Sequence, residues 1–402
     1  MSNEAILDRI LTQRHAQEIR AFDPGLAVQK LLGELTDRER EILTRRYGLI
    51  DQSESATLEE IGLQFKVTRE RVRQIIKGAQ DKLRIHQAKN DDVVRLGRVA
   101  EQLLMSYGGA VEERFFLNKL LELLVIETAD QARVMAHLEF LLREVTADLF
   151  EYRSADHPLR SVYAVRGVDD MFLRQVVETL VGVVESGGQP LSEQALAEQL
   201  SHTPFYAEHR GRMIEQPLKV MRGFIGSEFD ASISLEEEQH VLTAYLFAAA
   251  LLERNVFEEW GRHDWPTVRP RRMNEKIYLI MRRHGKPLHF TEICDHVNIA
   301  KFDRKVAKSP SVHNELILDQ RFILVGRGTY ALKEWGYEKG TVADVVTAIL
   351  KEHPDGLTRS QIIDEVMRRR IVKRQTVQLA LMNKNIFRKD EDGLYRLNRS
   401  MQ

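Results

Sequence analysis

Apolar residues recur along this chain mostly at helical intervals, interrupted by compact breaker segments. The clearest case is Val72, Ile75, Ile76, Ala79 and Leu83, which make one apolar helix face. Arg69, Glu70, Arg73, Gln74 and Lys77 fall on the opposite face. A shorter helical stretch precedes it, opening at Leu58. Thr57 is placed to cap that stretch, with Glu60 reaching back to complete a capping box. Thr68 is placed to cap the second helix, which leaves Arg69, Glu70 and Arg71 in its first turn. The pattern predicts two helices joined by a tight turn, with one buried seam and one charged outer face.

The C-terminal part repeats a different plan. Met273–Arg283, Phe290–Val297 and Ser311–Leu318 read as helices, the first ended by His284-Gly285-Lys286-Pro287 and the third capped by Ser311. Arg321–Val325 and Thr329–Leu332 read as strands around Gly326-Arg327-Gly328, a hairpin signal. Three helices and a hairpin predict a winged helix with Arg327 at the wing tip. The plan recurs after Gly340. Val342–His353 is a helix broken at Pro354-Asp355-Gly356; Thr358 caps Arg359–Arg370, and Lys373–Asn383 supplies a third helix. Ile386–Lys389 and Leu394–Leu397 then flank a polar turn.

In the middle, Phe115–Val125 and Val134–Leu149 are helical, and Phe150–Val165 is a candidate wing across Asp156-His157-Pro158. Met171 to Trp265 reads as helices, with Trp260–Pro266 an ordered connector. The predicted fold class is mainly α, an array of helix-turn-helix and winged-helix modules with short β-hairpin wings. The expected division is 1–34, 35–89, 93–166, 168–267, 268–337 and 340–402. An unrelated helical domain is the alternative for 93–265.

Charge sharpens this picture. The formal net charge of the 402 residues is −1, yet it is unevenly spread. Residues 1–92 carry 16 basic and 16 acidic side chains, residues 93–260 carry 15 and 27, and residues 261–402 carry 28 and 17. The middle is therefore at −12 and the C-terminal part at +11. A basic segment supplies sequence-independent DNA affinity through phosphate contacts and counterion release. An acidic segment is repelled by DNA and suits packing or a protein partner. The Arg368-Arg369-Arg370 and Lys373-Arg374 cluster reads equally as a phosphate contact and as a solvated helix end.

Other chemistry is thinly represented. Cys294 is the single cysteine, which excludes an internal disulfide and fits a reducing cytoplasm. His284, His289, Cys294 and His296 match no zinc-finger or zinc-ribbon spacing, so no metal is expected. Ser186-Gly187-Gly188 is a turn, not a phosphate loop; no nucleophile elbow or paired catalytic carboxylates stand out. No cofactor and no enzymatic activity are expected. No apolar run approaches a membrane span, and Met1–Leu11 is charged and amphipathic, unlike a signal peptide.

Residue order adds a resemblance. Leu35-Thr36-Asp37-Arg38-Glu39-Arg40-Glu41-Ile42-Leu43, Arg46-Tyr47-Gly48-Leu49, Thr57–Gly62 and Val67-Thr68-Arg69-Glu70-Arg71-Val72-Arg73-Gln74-Ile75 closely resemble region 4 of primary-type bacterial sigma factors. The resemblance covers about an eighth of the chain. It implies a recognition helix in the major groove of a minus-35 promoter element, with Arg69, Glu70, Arg73 and Gln74 at the base and phosphate contacts. It also implies docking on the flap of the RNA polymerase β subunit. Thr68, Arg71 and Lys77 complete the expected DNA-binding set. The family usually continues with Glu, Ala, Lys, where this chain has Ile76, Lys77 and Gly78. A glycine there weakens a helix by about 1 kcal/mol, and Lys77 is the substitute phosphate contact.

A second resemblance rests on Gly285–Ile293, Val312-His313-Asn314-Glu315-Leu316 and Val325-Gly326-Arg327-Gly328-Thr329-Tyr330-Ala331-Leu332. These are similar to the HARE-type helix-turn-helix domain, whose family includes the N-terminal domain of the RNA polymerase delta subunit. The resemblance spans about residues 271–337 and adds Arg327 to the expected DNA contacts. Together the two imply a cytoplasmic, nucleoid-associated transcription regulator that binds double-stranded DNA and acts with RNA polymerase core. The alternatives are a polymerase-docking adaptor that does not read DNA and a diverged stand-alone sigma factor. No segment resembles the aromatic-rich region that melts the minus-10 element. A DNA-modifying or DNA-cutting enzyme is the most distant alternative.

Overall fold

The computed structural model describes residues 22–49, 55–87, 90–124, 131–225, 235–337, 340–369, 372–390 and 392–398. The expected amphipathic stretch Met1–Leu11 lies outside them, as do Val125, Arg370 and Glu391. The chain divides into two compact units, residues 1–254 with 258–263 and residues 255–257 with 264–402. The fold is mainly α with small antiparallel sheets, as expected.

The first unit opens with α1 (Pro24–Gly33), α2 (Asp37–Tyr47), α3 (Leu58–Phe65) and α4 (Arg69–Gln87). Each begins where its sequence supplies a cap. Asp23 accepts from the backbone N–H groups of Gly25 and Leu26, and Thr36 with Glu39 forms a capping box on α2. Next come α5 (Asp91–Ser106), β1 (Ala110–Glu112), α6 (Glu113–Leu123) and α7 (Gln131–Phe140). A π-type turn over Leu141–Val145 ends α7, so the helix expected over Val134–Leu149 stops short. Strands β2 (Phe150–Arg153) and β3 (Val162–Val165) follow, and the sheet order is β1-β3-β2. One continuous apolar core joins these elements from Phe22 through Tyr163.

A related order, with two more helices before its hairpin, follows in α8 (Asp170–Gly187), a bridge at Leu191, α9 (Glu193–Ser201), α10 (Pro204–Arg210), α11 (Gln216–Ile225) and α12 (Leu235–Ala248). It closes with β4 (Leu252–Arg254) paired to β5 (Trp260–Arg262). The start of the expected Trp260–Pro266 connector, Trp260–Arg262, is thus a strand, while residues 263–266 are turn and bend at the boundary between the two units. Trp260 is fully buried, pairs with Leu191 through both backbone groups, and donates its indole N–H to Glu193 at 2.9 Å. An aromatic with a polar handle seats well as a wing residue over the helices.

The second unit contains α13 (Met273–His284), β6 (Leu288–His289), α14 (Phe290–Ala300), α15 (Ser309–Leu318), β7 (Phe322–Leu324) and β8 (Thr329–Leu332). Its sheet order, β6-β8-β7, matches that of β1-β3-β2. Ser311 is not the cap of α15. The helix starts at Ser309 behind Lys308, with Pro310 in the first turn where a missing N–H costs nothing. The last frame holds α16 (Val342–Glu352), α17 (Arg359–Arg369), α18 (Arg374–Leu381), β9 (Phe387–Lys389) and β10 (Tyr395–Leu397). A bridge from Leu357 to Tyr395 stands where β6 stands in the preceding frame. Val346, Ile349, Ile362, Val366 and Val377 form its separate core.

Candidate nucleic-acid interface

Helices α3 and α4 are joined at Lys66, Val67 and Thr68, and the turn is fixed by backbone demands. Lys66 takes a left-handed conformation with φ 51°, and the N–H of Val67 donates to the carbonyl of Gly62 at 2.9 Å. A Cβ on Gly62 would stand 2.8 Å from the carbonyl oxygen of Val67, so the chain needs glycine there. Thr57 and Glu60 form the expected capping box on α3, and Thr68 accepts from the N–H of Arg71 at 3.2 Å.

Helix α4 buries Val72, Ile76, Ala79 and Leu83, while Ile75 is half-buried. It runs unbroken through Gly78, so the glycine leaves the helix intact. Thr68, Arg69, Glu70, Arg71, Arg73, Gln74 and Lys77 are all exposed on its N-terminal half. Glu70 accepts two bonds from the Arg73 guanidinium, at 2.9 and 2.7 Å. Arg71 donates to the Gln74 side-chain amide oxygen, Oε1, at 3.3 Å. The guanidinium of Arg73 holds the Glu70 carboxyl below its ordinary range, so the pair stays ionised around neutral pH. The pair is more than half exposed on both sides and opens at little cost. Among the described residues, no side-chain hydrogen bond or ion pair engages Arg69 or Lys77. The surface can therefore offer guanidinium forks, an amide and a carboxylate in one row, the groups that discriminate base edges in a major groove.

Gln80 and Arg84, in the C-terminal half of α4, are half-buried and engaged by other elements, which the sequence pattern did not reveal. The Gln80 amide donates to the Tyr47 hydroxyl at 2.8 Å and to Glu144 at 2.5 Å, and Arg84 donates to the Glu144 carbonyl at 3.1 Å. Burial pushes the Glu144 carboxyl above its ordinary value. Lys82 pairs with Glu39 at 2.6 Å. Gln80 and Arg84 are ordinary helix-surface residues in sequence, and the partner Glu144 lies 64 and 60 positions away.

Arg327, in the second unit, is exposed in the turn between β7 and β8. The histidines weighed as metal ligands serve packing and capping. His284 lies against His296 with ring centroids 4.1 Å apart, and His289 caps α14. The buried Cys294 thiol donates to the Ala307 carbonyl at 3.4 Å. Among the described residues no group of three histidine, cysteine or carboxylate side chains is placed to hold a metal ion. Nor is any described helix long and apolar enough to cross a membrane.

Comparison with known proteins bears on the same segment. Residues 31–84 match the family model for Sigma-70, region 4. The chain is 47% identical over 57 residues to the RNA polymerase sigma factor RpoD of Helicobacter pylori, covering 14% of this chain and 8% of that protein. It is 51% identical over 57 residues to SigA of Lactococcus lactis subsp. cremoris, covering 14% of this chain and 15% of the relative. To SigA of a Nostoc species it is 54% identical over 57 residues, 14% of each chain. No solved structure matches. This protein therefore contains a sigma-70 region 4 domain, and the match spans a small fraction of each sigma factor.

Proposed function

We propose that this protein is a DNA-binding transcription regulator that acts with bacterial RNA polymerase and reads a minus-35-type element through α4. One observation carries the reading: Arg69, Glu70, Arg73 and Gln74 line the solvent face of the second helix in a segment matched to sigma region 4. The bases fall to Arg73 and Gln74, while Arg69 and Lys77 serve the phosphates. Its polymerase contact is the flap of the β subunit. The 268–337 segment is a HARE-type winged helix in this reading, supported by the α13-β6-α14-α15-β7-β8 order and the Gly326-Arg327-Gly328 turn. Arg327 and the surrounding basic residues give DNA contacts without sequence choice.

The test is a mobility-shift series with the full chain on duplexes selected from a random pool. Arg73→Ala should cost about 1–3 kcal/mol at the preferred site and blunt base preference there. Unchanged affinity and unchanged selectivity would overturn the reading and leave a docking adaptor. Core polymerase should co-purify with the protein yet give no specific transcript until a full sigma factor is added. Specific transcripts from core and this protein alone would make it an unusual sigma factor.

A further inference from the structure

The described residues hold four frames in which helices are followed by a β-hairpin, so the helix before each hairpin can be compared. That helix is the one a helix-turn-helix unit lays in the groove. In the first frame α7 is covered: Val134, His137, Leu138 and Phe140 are buried, and Phe140 meets the Tyr47 ring at 5.1 Å. In the second, α12 is enclosed on several sides, with Val241, Leu242, Ala244, Tyr245 and Leu246 all buried. In the third, α15 is open but contains no lysine or arginine, and its C-terminal turn exposes Ile317 and Leu318.

The fourth frame differs. Helix α18 sends Val377 and Leu381 into the core and exposes Arg374, Gln375, Thr376 and Leu379, with Lys373 exposed at its N-cap. Strand β9 adds exposed Arg388 and Lys389. Of these cations only Arg374 holds a described ion pair, with Asp364 at 3.2 Å and both partners more than half exposed. Such a pair opens readily, as the Glu70–Arg73 pair does on α4. The hairpin turn carries Asp390 and Asp392, so a contact with phosphates falls to β9 and not to the tip.

We propose that α18, together with β9 of the same frame, is a second duplex-DNA-reading surface independent of α4. Arg374 and Gln375 have the donor and acceptor sets that select guanine and adenine, and the exposed Leu379 suits a thymine methyl group. Lys373, Arg388 and Lys389 neutralise phosphates. Nothing in this assignment depends on the sigma-like segment.

The test uses the full chain in four forms: unaltered, Arg69→Ala with Arg73→Ala, Lys373→Ala with Arg374→Ala, and all four substitutions together. Each is titrated with duplex DNA over a salt series and footprinted on a sequence selected by the unaltered protein. Loss of Lys373 and Arg374 should make the plot of log affinity against log salt shallower by about 2, whether or not α4 is intact. It should also remove one protected patch while leaving the patch that depends on α4. Arg388→Ala, away from the helix, should make the slope shallower by about 1 with the unfolding midpoint unchanged. Identical slopes and footprints with and without Lys373 and Arg374 would overturn the proposal. So would stronger binding of single-stranded RNA than of duplex through the same residues. A silent α4 arm with an active α18 arm would count against the minus-35 reading alone.

Discussion

The α3–α4 pair and the α14–α15 pair answer the same geometric problem in different chemistry. In each, the first helix ends on a lysine in the left-handed conformation, Lys66 at φ 51° and Lys301 at φ 50°. In each, a buried isoleucine of the first helix, Ile61 or Ile293, anchors the pair in its core. The outer face of the second helix then diverges. The N-terminal half of α4 presents Arg69, Glu70, Arg73 and Gln74, whereas α15 presents Pro310, Ser311, Asn314, Ile317 and Leu318. The frame fixes where a helix stands and leaves its purpose to four or five side chains.

The comparison breaks first at its anchors. Ile61→Ala and Ile293→Ala each empty a fully buried site and should cost about 2–5 kcal/mol by urea unfolding. Only the first should abolish sequence preference in duplex binding through α4. If Ile293→Ala removes that preference equally, the two pairs are not separate in function. The turn comes next. Gly62→Ala drives a Cβ against the Val67 carbonyl and should cost about 1–3 kcal/mol, with α4 displaced and site preference weakened. A variant that keeps full stability would show that the turn relaxes freely.

The smallest effect is in pH dependence, and it differs in sign between the pairs. The Arg321 guanidinium beside Asp319, at the end of α15, lowers that carboxyl from 3.8 to about 2. Its folded value is depressed, so its contribution to stability is present above 3.8 and is lost as pH falls toward 2. Behind α4, burial raises Glu144 above 4.5. Its contribution is present below that value and is lost as pH rises through the raised one. Urea midpoints should therefore show Asp319→Asn less stable than the unaltered chain at pH 5, with the gap closing toward pH 2. Glu144→Gln should gain relative stability as pH rises. Parallel curves for either variant would contradict the assigned cause.

Much of this was readable because the signals are local. Thr57, Thr68 and Thr358 announce helix starts through caps that span three residues, and Gly326-Arg327-Gly328 marks its own hairpin. The spacing of Val72, Ile76, Ala79 and Leu83 determines which face of α4 is outside. What escaped depends on distant partners or on one backbone contact. The strands around Trp260 are three residues each and pair with one another, with Leu191 bridging to Trp260 from 69 positions away, so their pattern is too short to show alternation. Leu288 and His289 form a strand only because Tyr330 and Thr329 meet them. Nothing in the neighbourhood of Gly62 states that Val67 will approach it. Gln80 and Arg84 look like solvent residues until Glu144 arrives from another part of the chain.

That last contact limits what α4 can grip. With Gln80 and Arg84 committed to Glu144, the outward row runs from Arg69 to Lys77, a span of nine residues with Val72 and Ile76 turned inward. At 1.5 Å per residue its length is about 13 Å, close to the width of one major groove. On the proposed reading, a helix entering through so short a window would span about four base pairs, at 3.4 Å per step. Four positions recur by chance throughout any genome, so the proposed reading through α4 requires joint occupancy with a second surface for selectivity in the cell.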